Sequence, residues 1–398
     1  MTSSQPTPHV HPALVILALA VGGFAIGTTE FASMALVPYF ARGLHIDEPT
    51  AGHVISAYAL GVVVGAPLMA VIGAKLARRT QLIALMLFFA AGNGLSAIAP
   101  SYGWMLAFRF LAGLPHGAYF GIAALVATSL VPPDRRATVI GQIFLGLTAA
   151  TVIGVPAASW IGQAVGWRSG FAIVAGLALL TAALVAIFAP RDAAHPDASP
   201  LRELGALKNG QVWLLLGISA IGFGGLFCVY TYLATTLTDV THVSPGFVPV
   251  VLAVFGLGMT AGNIVIPWFA NRALMPTGGG LLLFSAATLL AFPLAAPHLG
   301  WVMADVFLIG ISGSLGVVLQ PRLMDVAGDA QQLAAALNHS AFNTANALGP
   351  LLGGLAIDAG WGWTSTGPVG AALAMGGFAI WVVTVWDDRR RATRVAMA

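Results

Sequence analysis

Residues 13–38 read ALVILALAVGGFAIGTTEFASMALVP, an apolar run interrupted by a single ionisable side chain, Glu30. A helix needs roughly 20 mostly apolar residues to cross the hydrocarbon core of a bilayer, and this run is long enough. It is too long for the apolar core of a cleavable signal peptide, about 7–15 residues, and residues 1–12 before it contain no Lys or Arg. The stretch therefore predicts a first membrane-spanning helix.

Further apolar runs of similar length follow along the chain, in two groups separated by a polar stretch at residues 190–211. Together with the first run they predict about twelve spans, at residues 13–38, 50–72, 81–99, 104–130, 137–162, 168–189, 212–237, 246–270, 279–297, 301–320, 332–357 and 367–386. We predict an all-α membrane protein with two pseudo-symmetric six-helix bundles. Its expected parts are an N-terminal tail (1–12), an N-terminal bundle (13–189), a linker (190–211), a C-terminal bundle (212–386) and a C-terminal tail (387–398).

The composition agrees with a membrane protein. Hydrophobic residues make up 58% of the chain and charged residues only 8%, whereas a soluble globular chain carries about 25% charged residues. The single cysteine, Cys228, excludes a disulfide framework and a cysteine-based metal site. The histidines near the ends and loops form no convincing metal set, so we expect neither a metal nor a cofactor.

The basic residues predict the orientation in the membrane. Fourteen of the 17 Lys and Arg residues fall in alternate loops, in the linker and in the C-terminal tail. Only Arg42 and Arg168 fall in the opposite loops, and Arg109 lies inside a span. Because cytoplasmic loops carry an excess of Lys and Arg, both tails and the linker are predicted to be cytoplasmic. The basic residues form no single patch, so we expect no nucleic-acid partner.

The two halves share motifs at a shift of about 195 residues. The matched sets are Gly61, Gly65 and Lys75 with Gly258, Gly262 and Arg272; Phe110 to Gly113 with Phe307 to Gly310; and Pro156, Gly166 and Trp167 with Pro350, Gly360 and Trp361. Three such matches in the same order indicate an internal repeat. A repeat of six spans is typical of a transporter whose binding site lies between the halves, near the middle of the membrane.

Glu30 is the leading candidate for a functional group, because an ionisable side chain inside the bilayer costs about 2.5–3.5 kcal/mol on insertion scales. At helical spacing Glu30 shares a face with Gly23, Gly27 and Met34. The small residues allow another helix to approach, and the acid is expected to point into the bundle or a cavity. We predict that it carries a proton, the alternative being a carboxylate that caps a neighbouring helix or pairs with a base.

Arg109 and His116 lie on one face of the fourth predicted span, with Gly113 and Phe120. Arginine stays charged, so Arg109 needs an acceptor inside the membrane, either Glu30 or backbone carbonyls. A proton-coupling role and a structural role both remain open for it. His116 follows Pro115, where the helix loses a hydrogen bond and a kink is expected. His116 is a candidate for the substrate pathway, the alternative being a hydrogen-bonded interior histidine.

Polar and aromatic side chains at helical spacing mark three further spans as parts of a substrate pathway. The candidates are Phe223, Phe227, Tyr230, Asn263, His339, Asn343 and Asn346. The alternatives are helix packing for the aromatic residues and cross-helix hydrogen bonding for the amides, which need partners when buried. Gly154 and Pro156 make the fifth span a candidate for bending or for a moving interface.

Several of these segments resemble motifs of the major facilitator superfamily, in particular its twelve-span drug:proton antiporter branch. The resembling segments are Gly73 to Arg79 (GAKLARR), Arg109 to Gly117 (RFLAGLPHG), Gly146 to Gly162, Gly27 to Phe31 (GTTEF) and Ala336 to Gly349 (ALNHSAFNTANALG). Within that branch the sequence is similar to arabinose or sugar efflux permeases and to chloramphenicol-resistance exporters. The resemblance implies proton coupling through Arg109, export through the fifth-span motif, and conformational roles for Gly73, Arg78, Arg79, Gly154 and Pro156.

One position departs from the family pattern. The loop motif usually has an aspartate where this chain has Ala77. That aspartate typically helps to hold the outward-open state through charged partners. Its absence puts that latch in doubt and leaves the expected fold unchanged.

We therefore predict proton-coupled efflux of a small neutral or apolar solute, such as a drug, a sugar or a related metabolite, by alternating access. Glu30 and Arg109 would couple the proton. The alternatives are a proton-coupled uptake symporter or a facilitator and, from another class, a membrane-embedded enzyme or sensor. Against an enzyme, the sequence has no His-Glu-x-x-His, Gly-x-Ser-x-Gly or phosphate-loop motif. The expected partners are the substrate, protons and the lipid bilayer, and we expect a monomer in a bacterial inner membrane.

Overall fold

The computed structural model describes residues 11–46, 48–192 and 204–397, and these residues are almost entirely helical. Residues 1–10 of the predicted tail, residues 193–203 of the predicted linker and Ala398 lie outside the described residues. The N-terminal half consists of α1 (Pro12–Gly43), α2 (Glu48–Gly73), α3 (Arg78–Ala97), α4 (Tyr102–Ser129), α5 (Arg136–Ala149, then Val155–Ala164) and α6 (Trp167–Phe188). In α5 a π-helical turn, Ala150–Gly154, joins the two parts without ending the helix.

The C-terminal half repeats this order. It consists of α7 (Gly210–Gly217, then Gly224–Asp239), α8 (Val248–Ala270), α9 (Leu274–Ala295), α10 (Leu299–Ser312, then Leu315–Val326), α11 (Gln331–Ala356) and α12 (Thr366–Met397). A π-helical turn at Ile218–Gly222 joins the parts of α7. The last helix runs on through most of the residues predicted as a tail, 387–398.

Eleven helical segments in the described part of the chain are long and apolar enough to cross a membrane. α11 completes the predicted set at 26 residues, although its Asn, Gln and His side chains make it more polar than the others. Large apolar side chains such as Leu294 (80% exposed) and Ile187 (69%) point outward. Hydrocarbon accommodates such a surface, so the prediction of about twelve apolar helices is confirmed.

Each half is built from the same three helix pairs, which confirms the predicted pseudo-symmetry. In the N-terminal half α1 packs on α5, α2 on α4 and α3 on α6, and in the C-terminal half α7 packs on α11, α8 on α10 and α9 on α12. Glycines allow one of these pairs to approach closely in both halves. A Cβ at Gly61 would collide with the carbonyl oxygen of Phe110, and a Cβ at Gly258 with that of Phe307. The repeat found in the sequence is thus a repeat of helix contacts.

The ends of α5 and α11 show the same repeat in the backbone. Gly166 after α5 has φ 114° and Gly360 after α11 has φ 86°, values that favour glycine. α4 runs from Tyr102 to Ser129 with Pro115 inside it, and the kink expected at Pro115 stays a prediction.

Candidate functional site

A cavity of about 800 Å³ lies between the two halves. Its walls come from α1, α2 and α5 on one side and from α7, α8 and α11 on the other. Four predicted pathway residues line it, namely Phe227, Tyr230, Asn343 and Asn346. Among the described residues that line the cavity none is a Lys, Arg, Asp or Glu, which suits an uncharged solute.

The cavity lies toward one end of the helix bundle. α2 contributes residues near its start (52–63), whereas α7 and α11 contribute residues from their second halves (227–234 and 343–350). α2 runs antiparallel to α7 and α11, so the start of α2 lies at the same end of the bundle as the second halves of α7 and α11. We call the end with the loops that carry Lys75, Arg135 and Arg272 the basic end. The cavity lies at the opposite end.

At the basic end the two halves are in contact. We call this contact of α4 and α5 with α8, α10 and α11 the seam. A Cβ at Gly117 would lie 3.0 Å from the carbonyl oxygen of Ala336, so α4 and α11 touch closely there. Farther toward the basic end Arg136 forms an ion pair with Asp325 at 3.1 Å. The structure is therefore open between the halves at one end and closed at the other.

A pair of buried amides also joins the halves at the basic end. Gln332 at the start of α11 donates its Nε2 to Oε1 of Gln81 on α3 at 2.8 Å. Gln81 in turn donates to the carbonyl oxygen of Leu76 at 2.7 Å. The loop glycine Gly73 leaves room for this side chain, because a Cβ there would lie 2.6 Å from Gln81 Oε1. Neither glutamine stands out in the sequence, since neither belongs to a charged motif.

The two loop arginines contact their own half. The backbone N–H of Arg78 donates to Asp192 at 2.7 Å and that of Arg79 to the other oxygen of Asp192 at 3.3 Å. The Arg79 guanidinium donates to the carbonyl oxygen of Ala186. Asp192 thus satisfies two of the free N–H groups at the start of α3, and the conformational role of Arg78 and Arg79 stays a prediction.

Glu30 is half-buried, and its neighbour Phe31 lines the cavity. The glycines on its face do allow a close approach, because a Cβ at Gly23 would lie 3.0 Å from the carbonyl oxygen of Ile143 on α5. Met34 belongs to the same predicted face, but its side chain is outside the described part of the structure. Glu30 therefore adjoins a cavity-lining residue on a helix packed against α5, and its proton-carrying role stays a prediction.

Arg109 is fully buried, and its bonds go to neutral oxygens. Its Nη1 donates to Thr29 Oγ1 at 2.9 Å and to Asn93 Oδ1 at 3.3 Å, and its Nη2 donates to Ser33 Oγ at 3.1 Å. Its guanidinium carbon lies 4.3 Å from the centre of the Tyr58 ring. The expected direct partners, Glu30 or backbone carbonyls, are thus replaced by side-chain oxygens and an aromatic face.

His116 and His339 meet in the seam and do not line the cavity. Their ring centres are 5.4 Å apart, and Tyr58 OH lies 3.0 Å from His116 Nδ1. The His339 ring stacks on Phe120, with centres 4.3 Å apart and an angle of 13°. Polar contacts therefore connect the Arg109 site through Tyr58 to the seam.

The remaining predicted residues also lie in or near contacts between helices. Asn263 is buried and packs by its backbone against Gly141 of α5. Phe223 is 4.6 Å from Phe342, ring centre to ring centre, and does not line the cavity. Gly154 contacts Thr28 of α1, and Pro156 is exposed on α5. The functional roles of these residues stay predictions.

The model of the family described as Major Facilitator Superfamily matches residues 19–329 and 242–398. The chain belongs to the Major Facilitator Superfamily. Its relatives in that superfamily include the Escherichia coli K12 inner membrane transport protein YdhP, which is 41% identical over 90% of this chain and 92% of its own length. The match confirms the predicted family and a multi-pass membrane transporter.

Two further superfamily relatives confirm the more specific resemblance. A chloramphenicol resistance protein of Streptomyces lividans is 34% identical over 85% of this chain and 88% of its own length. A probable sugar efflux transporter of Haemophilus influenzae KW20 is 31% identical over 93% of each chain. Among solved structures, the E. coli fucose:proton symporter FucP aligns with a TM-score of 0.73 at 14% identity, over 94% of this chain and 98% of FucP. That likeness supports the fold alone.

Proposed function

We propose that this superfamily member exports a small neutral or apolar solute in exchange for protons. Glu30 is the observation on which the proposal mainly rests. It is a half-buried acid next in sequence to Phe31, which lines the cavity, and its helix packs against α5. The efflux relatives and the uncharged cavity wall support the direction and the substrate class.

The proposed cycle follows from linkage between protonation and conformation. An equilibrium between two states shifts only when a ligand binds them with different affinity. Glu30 would take up a proton in the state open at the end opposite the basic loops and release it in the other state. Arg109 bonds to Thr29 and Ser33, which flank Glu30 on α1, so its charge would tune this exchange.

The orientation and setting belong to the same proposal. The loop charges support a basic end that faces the cytoplasm, with both termini on that side. The structure then corresponds to the outward-open state of a monomer in a bacterial inner membrane. The proposed solutes are drugs, sugars or related metabolites, because the relatives include a chloramphenicol resistance protein and a probable sugar efflux transporter.

The test of coupling is Glu30→Gln in proteoliposomes with a pH-sensitive dye inside. We expect the variant to fold and bind solute while substrate-driven proton movement is lost. Asp358→Asn, a change of an exposed acid at the far end of α11, serves as the matched control and should leave coupling intact. Full coupling in Glu30→Gln would refute the assignment.

Proton-coupled uptake is the second candidate, since alternating access by itself fixes no direction of transport. Everted vesicles decide between the two directions. An exporter accumulates the solute inside everted vesicles when a proton gradient is applied, whereas an uptake symporter depletes it. A facilitator would neither accumulate the solute in the vesicles nor deplete it.

A further inference from the structure

The seam contains polar atoms that have no partner in this state. Asn343 Oδ1, Asn263 Oδ1 and His339 Nε2 are buried without a hydrogen-bond partner among the described residues. A buried polar atom left unpaired costs about 1–3 kcal/mol. Atoms retained at such a cost in one state are expected to have partners in another.

The amide of Asn343 is oriented by its own helix. Its Nδ2 donates to the carbonyl oxygen of His339 at 3.0 Å, so the amide oxygen faces away from that carbonyl. Asn343 is only 5% exposed, although it also lines the cavity. The unpaired oxygen is therefore a fixed acceptor at the point where cavity and seam meet.

Asn263 and His339 lie against neighbouring turns of α5. A Cβ at Gly141 would lie 2.7 Å from the Asn263 carbonyl oxygen, and the Phe144 ring centre is 5.8 Å from that of His339. α5 belongs to the N-terminal half, whereas α8 and α11 belong to the C-terminal half. Separation of the halves at the basic end would therefore take both residues out of contact with α5.

The His339 ring occupies an aromatic slot. Phe120 of α4 stacks on it with centres 4.3 Å apart, and Phe144 of α5 meets it edge-on. Both phenylalanines belong to the N-terminal half and the histidine to the other half. When α4 and α5 move away from α11, the imidazole leaves the slot and a flat face of Phe120 becomes available.

From these contacts we propose that the seam hides a loading site for a planar aromatic solute that carries an O–H or N–H donor. In the state open at the basic end the ring of the solute stacks on Phe120, in place of His339. Its donor bonds to Asn343 Oδ1, which is unpaired here. Closure of the seam returns His339 to the slot and expels the solute toward the visible cavity.

This inference rests on the proposed transport function, since it adds a substrate class and a state-dependent affinity to the same pathway. A site that is covered in the release state binds the solute weakly there. Such differential binding is what alternating access requires of a substrate.

The test measures equilibrium binding without a proton gradient, so it is independent of the coupling test. The probes are 2-naphthamide, which has two N–H donors, and N,N-dimethyl-2-naphthamide, which has none. Both are neutral and planar at the ring. Dissociation constants for the purified protein in lipid nanodiscs are compared with those for empty nanodiscs.

We expect 2-naphthamide to bind roughly fivefold more tightly than its dimethyl analogue, the difference that one hydrogen bond makes. Asn343→Leu should abolish this difference, and Phe120→Leu should weaken both probes. Gln142→Leu and Phe269→Leu, at exposed positions of α5 and α8, are the matched controls and should behave like the unchanged protein. Equal binding of the two probes, or binding of neither, would overturn the proposal.

A lock on the basic end tests the state dependence. Arg136→Cys with Asp325→Cys, in a Cys228→Ala background, places two thiols where the ion pair joins the halves. A short bifunctional maleimide then holds the seam shut. We expect the locked protein to lose binding of 2-naphthamide and the unlinked double variant to retain it. Undiminished binding by the locked protein would place the site in the visible cavity and contradict the hidden site.

Discussion

At the scale of single residues, Arg109 shows how a permanent charge is accommodated within the membrane. Its three hydrogen-bond acceptors are the side-chain oxygens of Thr29, Ser33 and Asn93, and a Tyr58 ring covers its face. The planar guanidinium suits this arrangement, because its donors are spread in a fixed fork and its face stacks on aromatic rings. The proton candidate Glu30 is left without a direct bond to it.

We expect Arg109→Lys to destabilise the protein by about 2 kcal/mol, because a single ammonium cannot reach separated oxygens and stack on the ring as well. Thermal unfolding in detergent measures the effect. Arg168→Lys is the control, since Arg168 is exposed and bonds to one carbonyl oxygen, that of Ala99. Equal stability of both variants would show that the hydrogen bonds of Arg109 contribute little.

At the scale of helices, the contact between α2 and α4 depends on glycines, and so does the contact between α8 and α10. A Cβ at Gly113 would collide with the carbonyl oxygen of Tyr58, and a Cβ at Gly310 with that of Phe255. Backbone atoms cannot move aside as a flexible side chain would. Close approach of small residues is a general means of packing helices in membranes.

We expect Gly113→Ala and Gly310→Ala each to destabilise the fold by about 1–3 kcal/mol, the usual cost of overpacking. The control in each half lies on the same helix. Gly103 on α4 and Gly300 on α10 have no atom within 4 Å of an added Cβ, so alanine should be tolerated there or should stabilise the helix slightly. A similar loss of thermal stability at all four positions would contradict the role of close contact.

At the scale of the whole molecule, the two halves close at the basic end through mostly uncharged contacts. The family's loop aspartate is replaced by Ala77, and the Gln81–Gln332 pair joins the halves nearby, at 4% and 7% exposure. The Arg136–Asp325 ion pair is 43% and 44% exposed, and such a pair contributes little, about 0–1 kcal/mol. A buried amide pair is insensitive to salt, whereas an exposed ion pair is screened.

We therefore expect Gln332→Leu to shift the protein toward the state open at the basic end, because it leaves Gln81 Oε1 buried without its donor. Spin labels at Lys75 and Asp329, exposed positions on opposite halves, report the separation. Arg136→Gln is the comparison variant and should shift the distances less. A larger shift from Arg136→Gln would assign the latch to the ion pair.

The apolar runs and the repeat determined most of the fold in advance. Membrane helices leave long continuous signals, since each must be apolar over the thickness of the bilayer. The matched motifs also predicted which spans of the two halves would correspond. The same sequence also singled out Glu30, Arg109 and the polar face of α11.

Only the tertiary structure decided how these residues combine. Because partners of Arg109 come from α1 and α3 and those of His339 from α4 and α5, no spacing within one helix could reveal them. Thr29, Asn93, Gln81 and Gln332 are uncharged. Such residues do not stand out in a sequence until their hydrogen-bond partners are known. Residues 13–38 predicted a span with one acid, and the packing of the two halves placed the neighbour of that acid, Phe31, in the wall of a cavity.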